Sequence, residues 1–580
     1  MRVPVVLLCA ALSAVLTWTG TSGFAAPRTS TSADAAASAQ SGDESYTVHY
    51  VPTVGDAVIR VEVWRDTSYD AAGQPAILTY SPYNSISEPE PARDYVGERY
   101  VPRGYARVVA DVLGTRGSTG CWDYGGPKEQ QSGVDVVRWL AERGWSNGKV
   151  AMIGGSYNGT TASMVAARGL PALRGIVPIA GISRWYGYAY GNGVRYFLNS
   201  DVPTDEGFDT PLAFDFGFAK TVAADPMGQH FADTLRDRAA ECDAITHTEK
   251  GYSRNPDYDK FWVARDYRRR ADRFRAAVLL AHGWQDYNVK QEEGTELFRS
   301  IPVDDPATAS VEGVPFKLMY LAQGSHSGAT KGEQWQGLLD RFFAHTLKGV
   351  RNGIATEGPV ITQGRTFDGP TSFRVARDYP LPATDRTRLW LRGDADPVAV
   401  PGLTADGALA RTPDRAGRRH VASYVETGTS TEELGVGARL SYISRPLARD
   451  ARMVGSARLV AHVRMENPVM HLTPVLLDVA PDGSSQTLAR GFLHVDYRNG
   501  LEENRPAPGT WVRATVRMLP QDYTLLSGHR LALSVQSSNT VWAVPGNPGR
   551  VDLADGRLAG VTAVGSRLTL PTIGDQIRFR

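Results

Sequence analysis

Charge imbalance is absent from this chain: 63 Lys and Arg stand against 62 Asp and Glu over 580 residues. No global field therefore recommends nucleic acid or an anionic membrane as a partner. Cysteine is scarce, with 3 in the whole chain. There is no Cys-x-x-Cys pair and no His-Glu-x-x-His run, so the common zinc spacings are missing and neither a metal nor another cofactor is expected. Past the first 26 residues no apolar run approaches the roughly 20 residues that a membrane-spanning helix needs. What remains is an ordinary globular composition, 42% hydrophobic and 22% charged, with length enough for two or three domains.

The N-terminus is the exception. Met1-Arg2, the apolar run Val3 to Leu16 and the small residues Thr19 to Ala26 have the three regions of a secretory signal peptide, with cleavage near Ala25 or Ala26. A secreted, extracellular protein with no membrane attachment after signal removal is the expectation. Removal takes Cys9 with it and leaves Cys121 and Cys242, which either form a disulfide in an oxidising compartment or stay as separately buried thiols; the bridge is expected. Residues 27–44 are mostly Ala, Ser and Thr and read as a flexible tether with no core to form.

From residue 45 the pattern alternates strand and helix. Val58 to Trp64 alternates apolar and polar, Pro75 to Tyr80 and Tyr105 to Asp111 are further strands, and Gln131 to Arg143 has helical spacing. Gly175 to Ala180, Ala276 to Ala281 and Phe316 to Leu321 continue the strands, and Gln334 to Leu347 closes with a helix. This order predicts an α/β fold, a mostly parallel sheet covered on both faces. The glycine-rich loop Gly114 to Gly120 lacks the Gly-Lys-Ser/Thr ending of a phosphate cradle and reads as a bent loop on the catalytic side. The core is expected over 45–180 and 276–358, a helical insertion over 181–275, and a β-sandwich of short, regularly punctuated strands over 359–580.

The chemistry centres on Lys149 to Thr160, which reads as strand, sharp turn and helix with Ser156 at the tip. Such a nucleophile elbow lifts Ser Oγ clear of the backbone and aims the first helical N–H groups at a developing oxyanion. The usual G-x-S-x-G pattern is displaced here, because Asn158 occupies the last glycine's place and Gly159 follows it. A plain glycine-rich turn is the competing explanation, and the downstream residues weigh against it. Asp286 and His326 each follow a strand, in the order nucleophile, acid, base that this class of sheet enzyme uses. His282 is a rival base but precedes the acid; Asp111 ends a strand but precedes the serine. Oxyanion donors are expected from the Tyr157 backbone N–H and the Tyr83 hydroxyl, with aromatic packing as the alternative role for Tyr83.

The runs Gly154-Gly155-Ser156-Tyr157-Asn158-Gly159-Thr160, Ala180-Gly181-Ile182-Ser183-Arg184-Trp185-Tyr186-Gly187-Tyr188, His282-Gly283-Trp284-Gln285-Asp286-Tyr287-Asn288-Val289 and Gly324-Ser325-His326 resemble the X-prolyl dipeptidyl aminopeptidases. These are relatives of the bacterial cocaine esterases and the α-amino acid ester hydrolases. The resemblance covers about 45–350. It implies an α/β-hydrolase core with a helical cap and a C-terminal jelly-roll-like sandwich. The implied activity is release of Xaa-Pro dipeptides by a serine exopeptidase acting on proline-containing peptides with a free N-terminus, through an acyl-enzyme. Trp185 and Tyr186 are then the candidates for walling the proline pocket, with cap core as the alternative. Intracellular relatives carry an extra N-terminal domain that this sequence replaces with the tether, so any dimer built through that domain is not expected and the oligomeric state stays open. Two other readings are an esterase or acylase of the cocaine esterase type and a non-catalytic protein whose sandwich binds polysaccharide.

Overall fold

The computed structural model describes residues 43–580 apart from 85–89, 197–255, 303–315, 327, 382–383, 394, 396–399, 401–403, 414–419, 435–436, 557–564 and 575–576. The signal peptide, nearly all of the tether, most of the expected cap and Cys242 lie outside the described residues.

The core sheet is built from β1 (Glu44–Pro52), β2 (Val58–Asp66), β3 (Gln74–Ser81), β4 (Ala106–Asp111), β5 (Ser146–Gly155), β6 (Leu173–Ile179), β7 (Ala277–Gly283), β8 (Lys317–Ala322), β9 (Val360–Thr366) and β10 (Gly369–Ala376). Their pairings give the spatial order β1-β2-β4-β3-β5-β6-β7-β8-β9-β10. From β4 to β9 every neighbouring pair is parallel; the two edges are antiparallel. The sheet therefore continues past residue 358, where the sandwich was expected to begin: Met319 to Leu321 of β8 pair with Val360 to Thr362 of β9.

Strand residues divide between two faces by the period of two that an extended chain imposes. Leu78, Val150, Met152, Ile176, Val278, Leu280 and Met319 pack in one cluster with helices α2 (Pro127–Ala141), α3 (Tyr157–Ala166) and α6 (Glu292–Ser300). Ile77, Ala151, Ile153, Val177, Leu279 and Tyr320 pack in another, against α1 (Tyr95–Tyr100) and α7 (Glu333–Lys348). Because both faces are covered, the central strands read as nearly continuous apolar runs, as in Ala-Val-Leu-Leu-Ala of β7. Two short helices, α4 (Trp185–Ala189) and α5 (Lys260–Ala264), belong to the described ends of the insertion.

Beyond Ala376 the described residues contain strands and one short 3-10 turn, Val495–Tyr497, but no α-helix. The pairings are mainly antiparallel, such as Arg458–Met465 with Trp511–Arg517 and Arg439–Ser444 with Arg530–Gln536. A separate core of Leu389, Tyr442, Leu459, Val463, Leu533 and Leu568 lies within them. The β-rich part touches the core sheet directly, through a parallel bridge between Arg365 of β9 and Tyr523.

Phe342 of α7 fits against Gly175 of β6, where a Cβ would meet the ring at 3.0 Å. Phe342→Ala removes a fully buried ring from this helix-to-sheet contact; the expected loss is about 3–5 kcal/mol of apparent unfolding free energy in denaturant titration, and a loss under about 1 kcal/mol would contradict the packing described.

Candidate active site

Strand β5 delivers Ser156 at φ +59° and ψ −123°, and α3 starts at the next residue. A non-glycine residue in that region is strained and persists only where its surroundings over-determine it. Here the Ser156 N–H donates to Ile179 O at 2.9 Å, and Ser156 O accepts from the N–H groups of Gly159 and Thr160, each at 3.0 Å. A Cβ at Gly154 would lie 2.2 Å from Asn158 Cβ, and one at Gly159 would lie 2.9 Å from both Gly154 O and Ile179 O. The displaced glycine of the motif thus has a steric cause. It is residue 159 that presses on the neighbouring strand, while the Asn158 side chain covers Gly154.

Tyr83 follows β3 in a loop held at both its residues. Ser81 Oγ accepts the Tyr83 N–H at 3.0 Å, and Asn84 Nδ2 donates to Asp111 Oδ1 at 2.6 Å. Asp111 is thus part of the scaffold of this loop; burial pushes its carboxyl up to about 6 against the opposing effect of Arg116, Asn84 and Arg60. The Tyr83 hydroxyl donates to Ser156 Oγ at 3.3 Å and accepts the Tyr157 N–H at 3.2 Å. Burial raises its pKa despite those two hydrogen bonds, so it stays a protonated donor. The hydroxyl thus bridges the serine oxygen and the backbone N–H of the next residue, bringing together the two groups expected as oxyanion donors.

The Tyr157 side chain points elsewhere. Its hydroxyl meets the Glu129 carboxyl at 2.9 Å and accepts from Trp122 Nε1 at 2.8 Å. Its ring packs edge-on to Trp185 at 5.4 Å. Burial pushes Glu129 up to about 8 although the Gly125 N–H and the Tyr157 hydroxyl stabilise its charge. Glu129 was passed over in the sequence, yet it falls on the buried stripe of α2 that continues through Gly133, Val136, Val137 and Leu140. A carboxylate in a core-facing stripe was the available signal.

The acid loop follows β7. Asp286 is fully buried; its Oδ1 accepts the N–H groups of Asn288 at 3.1 Å and Val289 at 3.0 Å, and its Oδ2 lies 2.8 Å from His326 Nδ1 and 3.4 Å from His282 Nε2. Burial alone would raise its pKa, but the His326 charge and the hydrogen bonds from His282 and His326 outweigh it, and the carboxyl sits below its ordinary value. For His326 burial works to lower the pKa and the Asp286 charge and hydrogen bond work to raise it; the carboxylate wins and the imidazole sits above its ordinary value. His282, the rival base, is fully buried at the end of β7 and donates from Nε2 to Val289 O at 2.8 Å, which makes it a brace of the acid loop. Ser156, Asp286 and His326 follow the carboxyl ends of β5, β7 and β8 in the parallel part of one sheet, the edge where open α/β sheets gather their chemistry.

The segment after β6 locks onto both the nucleophile helix and α6. The Ile182 N–H donates to Thr160 Oγ1 at 2.8 Å, and a Cβ at Gly181 would lie 2.7 Å from the backbone of Gly159. Glu293 Oε2 accepts from Ser183 N, Ser183 Oγ and Arg184 N at 3.0, 2.7 and 2.8 Å, and Gly187 leaves room for the other oxygen, 2.2 Å from where its Cβ would be. The two expected pocket aromatics part company here. Trp185 faces Tyr157 and donates from Nε1 to Tyr267 OH at 2.9 Å. Tyr186 is fully buried among Tyr190, Trp262 and Tyr258, with its hydroxyl on Pro256 O at 2.6 Å. Its surroundings are those of cap core. Cys121 is disulfide-bonded; of the other two cysteines, Cys9 and Cys242, both lie outside the described residues.

Comparison with known proteins places this geometry in context. Residues 55–328 match the S15 family, described as X-Pro dipeptidyl-peptidase, and residues 352–562 match the X-Pro dipeptidyl-peptidase C-terminal non-catalytic domain. A Bacillus anthracis protein provisionally named a Xaa-Pro dipeptidyl-peptidase is 27% identical, covering 76% of this chain and 70% of its own length. The Xaa-Pro dipeptidyl-peptidase of Lacticaseibacillus casei is 25% identical over 83% of this chain and 66% of its own. Among solved structures, a CocE/NonD family hydrolase from Staphylococcus aureus superposes with a TM-score of 0.70 at 17% identity, covering 91% of this chain and 93% of that one. An α-amino acid ester hydrolase does so at 0.68 and 17%, covering 94% and 98%. These two likenesses establish the fold, an α/β-hydrolase-type sheet followed by an all-β part.

The Asp286 carboxylate favours the charged imidazole, so His326 should titrate above the ordinary histidine value and be neutral only on the alkaline side of it. NMR titration of the histidine resonances, with His326 assigned by its loss in His326→Gln, checks this. Asp286→Asn should bring the midpoint down, and an unchanged midpoint would refute the pairing.

Proposed function

The chain belongs to the S15 family of X-Pro dipeptidyl-peptidases, and on that footing we propose that it is a secreted serine exopeptidase that releases Xaa-Pro dipeptides from peptides with a free N-terminus. The observation that carries the reading is the strained turn at Ser156 with the Tyr83 hydroxyl on its oxygen, in one sheet with a His326–Asp286 pair that follows it in the order nucleophile, acid, base.

The proposed chemistry follows from that arrangement. Ser156 Oγ attacks the proline carbonyl carbon as His326 Nε2 takes the hydroxyl proton, while Nδ1–H stays on Asp286. The carbonyl oxygen becomes an oxyanion and accepts from the Tyr83 O–H and the Tyr157 N–H. The C–N bond then breaks, His326 returns the proton to the departing amine, and the dipeptide remains as an ester on Ser156. Water, deprotonated by the same imidazole, adds to the ester carbonyl, and the C–Oγ bond breaks as the imidazolium returns the proton to Ser156, releasing the dipeptide. Trp185, which packs against the side chain of Tyr157, the residue after the nucleophile, is the aromatic proposed for the proline ring. The esterase alternative has the fold of its structural neighbours in its favour and no feature of the site that distinguishes it.

Export is supported by the N-terminal sequence pattern and by the disulfide at Cys121, which persists in an oxidising compartment. The proline peptidase reading predicts that a chromogenic Ala-Pro amide is cleaved, its N-acetylated twin is not, and Ser156→Ala loses at least about a thousandfold. Tyr83→Phe should lose about a hundredfold or more in kcat, with KM little changed, because the proposed bond from the hydroxyl to the substrate oxygen strengthens as that oxygen becomes charged. Equal cleavage of the blocked twin, or turnover of an aryl ester alone, would hand the assignment to the esterase reading. For export, the protein recovered from culture medium should begin near residue 26 or 27 on N-terminal sequencing; retention of the intact N-terminus inside the cell would refute it.

A further inference from the structure

The acid loop, Trp284 to Gln291, is gripped from outside the hydrolase core. Gln521 Nε2, at the start of the β-rich strand Gln521–Leu525, donates to Trp284 O at 2.9 Å, alongside Gln291 Nε2 at 3.0 Å. Trp284 Nε1 reaches Thr362 Oγ1 at 3.2 Å, and Thr362 in turn donates to Asp522 at 2.9 Å. On the other side of Asp286 the Tyr287 ring lies between two groups of the β-rich part. The Arg490 guanidinium carbon is 3.9 Å from its centroid, and the Trp542 ring is 5.2 Å away. Arg490 is itself buried and oriented by the Glu432 carboxylate, to which it donates from Nε and Nη2. Both residues that bracket the acid are thereby pinned, at i−2 by its carbonyl and at i+1 by its ring.

The geometry points to the C-terminal β-rich part as the element that positions Asp286, with Arg490 and Gln521 as its positioning residues. This role rests on the hydrolase reading of Ser156, Asp286 and His326, and it goes beyond the non-catalytic description of the matched domain. Neither residue touches the reacting atoms. Each acts by holding the loop so that Asp286 Oδ2 stays at 2.8 Å from His326 Nδ1. Small displacements of such a group are costly, because proximity and alignment supply much of the rate. A planar, stacked guanidinium suits this task in a way that a lysine ammonium does not.

Loosening the acid and merely removing a positive charge have opposite signatures. The charged and titratable groups facing this region are Asp286 and His282 around His326, and Glu432, Tyr196 and Lys290 around Arg490 and Tyr287. Deleting the Arg490 charge alone would raise the His326 pKa. Weakening its contact with Asp286 would lower it.

The test measures kcat and KM on the Ala-Pro amide across pH, together with the His326 NMR titration, for native protein, Arg490→Lys, Arg490→Met and Gln521→Ala. Expected are a fall in kcat on the order of tenfold or more for both Arg490 variants with KM nearly constant, and a smaller fall for Gln521→Ala. In each the acidic limb and the His326 midpoint should move to lower pH. Folded variants with native kcat, or with a limb displaced upward, overturn the proposal. Should Arg490→Met fail to fold, Gln521→Ala decides, since Gln291 still serves Trp284 O there, and an unmoved midpoint in it overturns the proposal. Failure of the peptidase reading is seen separately, as absence of amide turnover by the native protein, and the NMR titration reads the positioning without turnover.

Discussion

A carboxylate withdrawn from water costs several kcal/mol unless its surroundings replace the lost hydration. Asp286 has that replacement: two backbone N–H groups of its own loop and two imidazoles, one of them the candidate base. Satisfying one buried charge therefore dictates the conformation of the loop from Asp286 to Val289, the position of His282 beneath it and the orientation of the His326 ring above it. It also fixes an N–H on His326 Nδ1, since only an N–H there can serve the carboxylate.

The second constraint is the backbone of Ser156. Its positive φ is affordable because β6, through Ile179, and the first turn of α3 both hold it. The segment from Gly181 to Gly187 then closes over that turn. Thr160 and Gly159 receive it on one side, and the Glu293 carboxylate gathers Ser183 and Arg184 on the other. A motif that reads in sequence as a string of small and aromatic residues is in space the splice between nucleophile helix, insertion and acid-loop helix.

Much of this was legible in one dimension. The apolar runs marked the parallel core strands from β3 to β8 within a few residues, because a strand buried on both faces has no polar side to interrupt it. Ser156, Asp286 and His326 stood out because each follows such a strand in the order that the chemistry uses. Less legible were groups whose role lies in a distant partner. Glu129 looks like an ordinary N-terminal helix carboxylate until Tyr157 and Trp122 are placed beside it. Tyr186 reads as a pocket wall next to Trp185, but successive helical residues point about 100° apart, and only one of the two faces Tyr157. The boundary at 358 was drawn where helices stop, whereas the core sheet stops two strands later, because β9 still finds an unpaired edge on β8.

By itself the sequence determined the class of the fold and the place of the turn at Ser156, and it singled out Asp286 and His326 as candidate partners, since these rest on local periodicity, steric demands on glycine and strand-end position. Only the tertiary structure decided which side chains meet: that Tyr83 returns to Ser156 across 73 residues, and that Gln521 reaches Trp284 across 237. Contacts of that span depend on how sheets and loops pack in three dimensions, and the order of residues along the chain does not encode packing geometry locally.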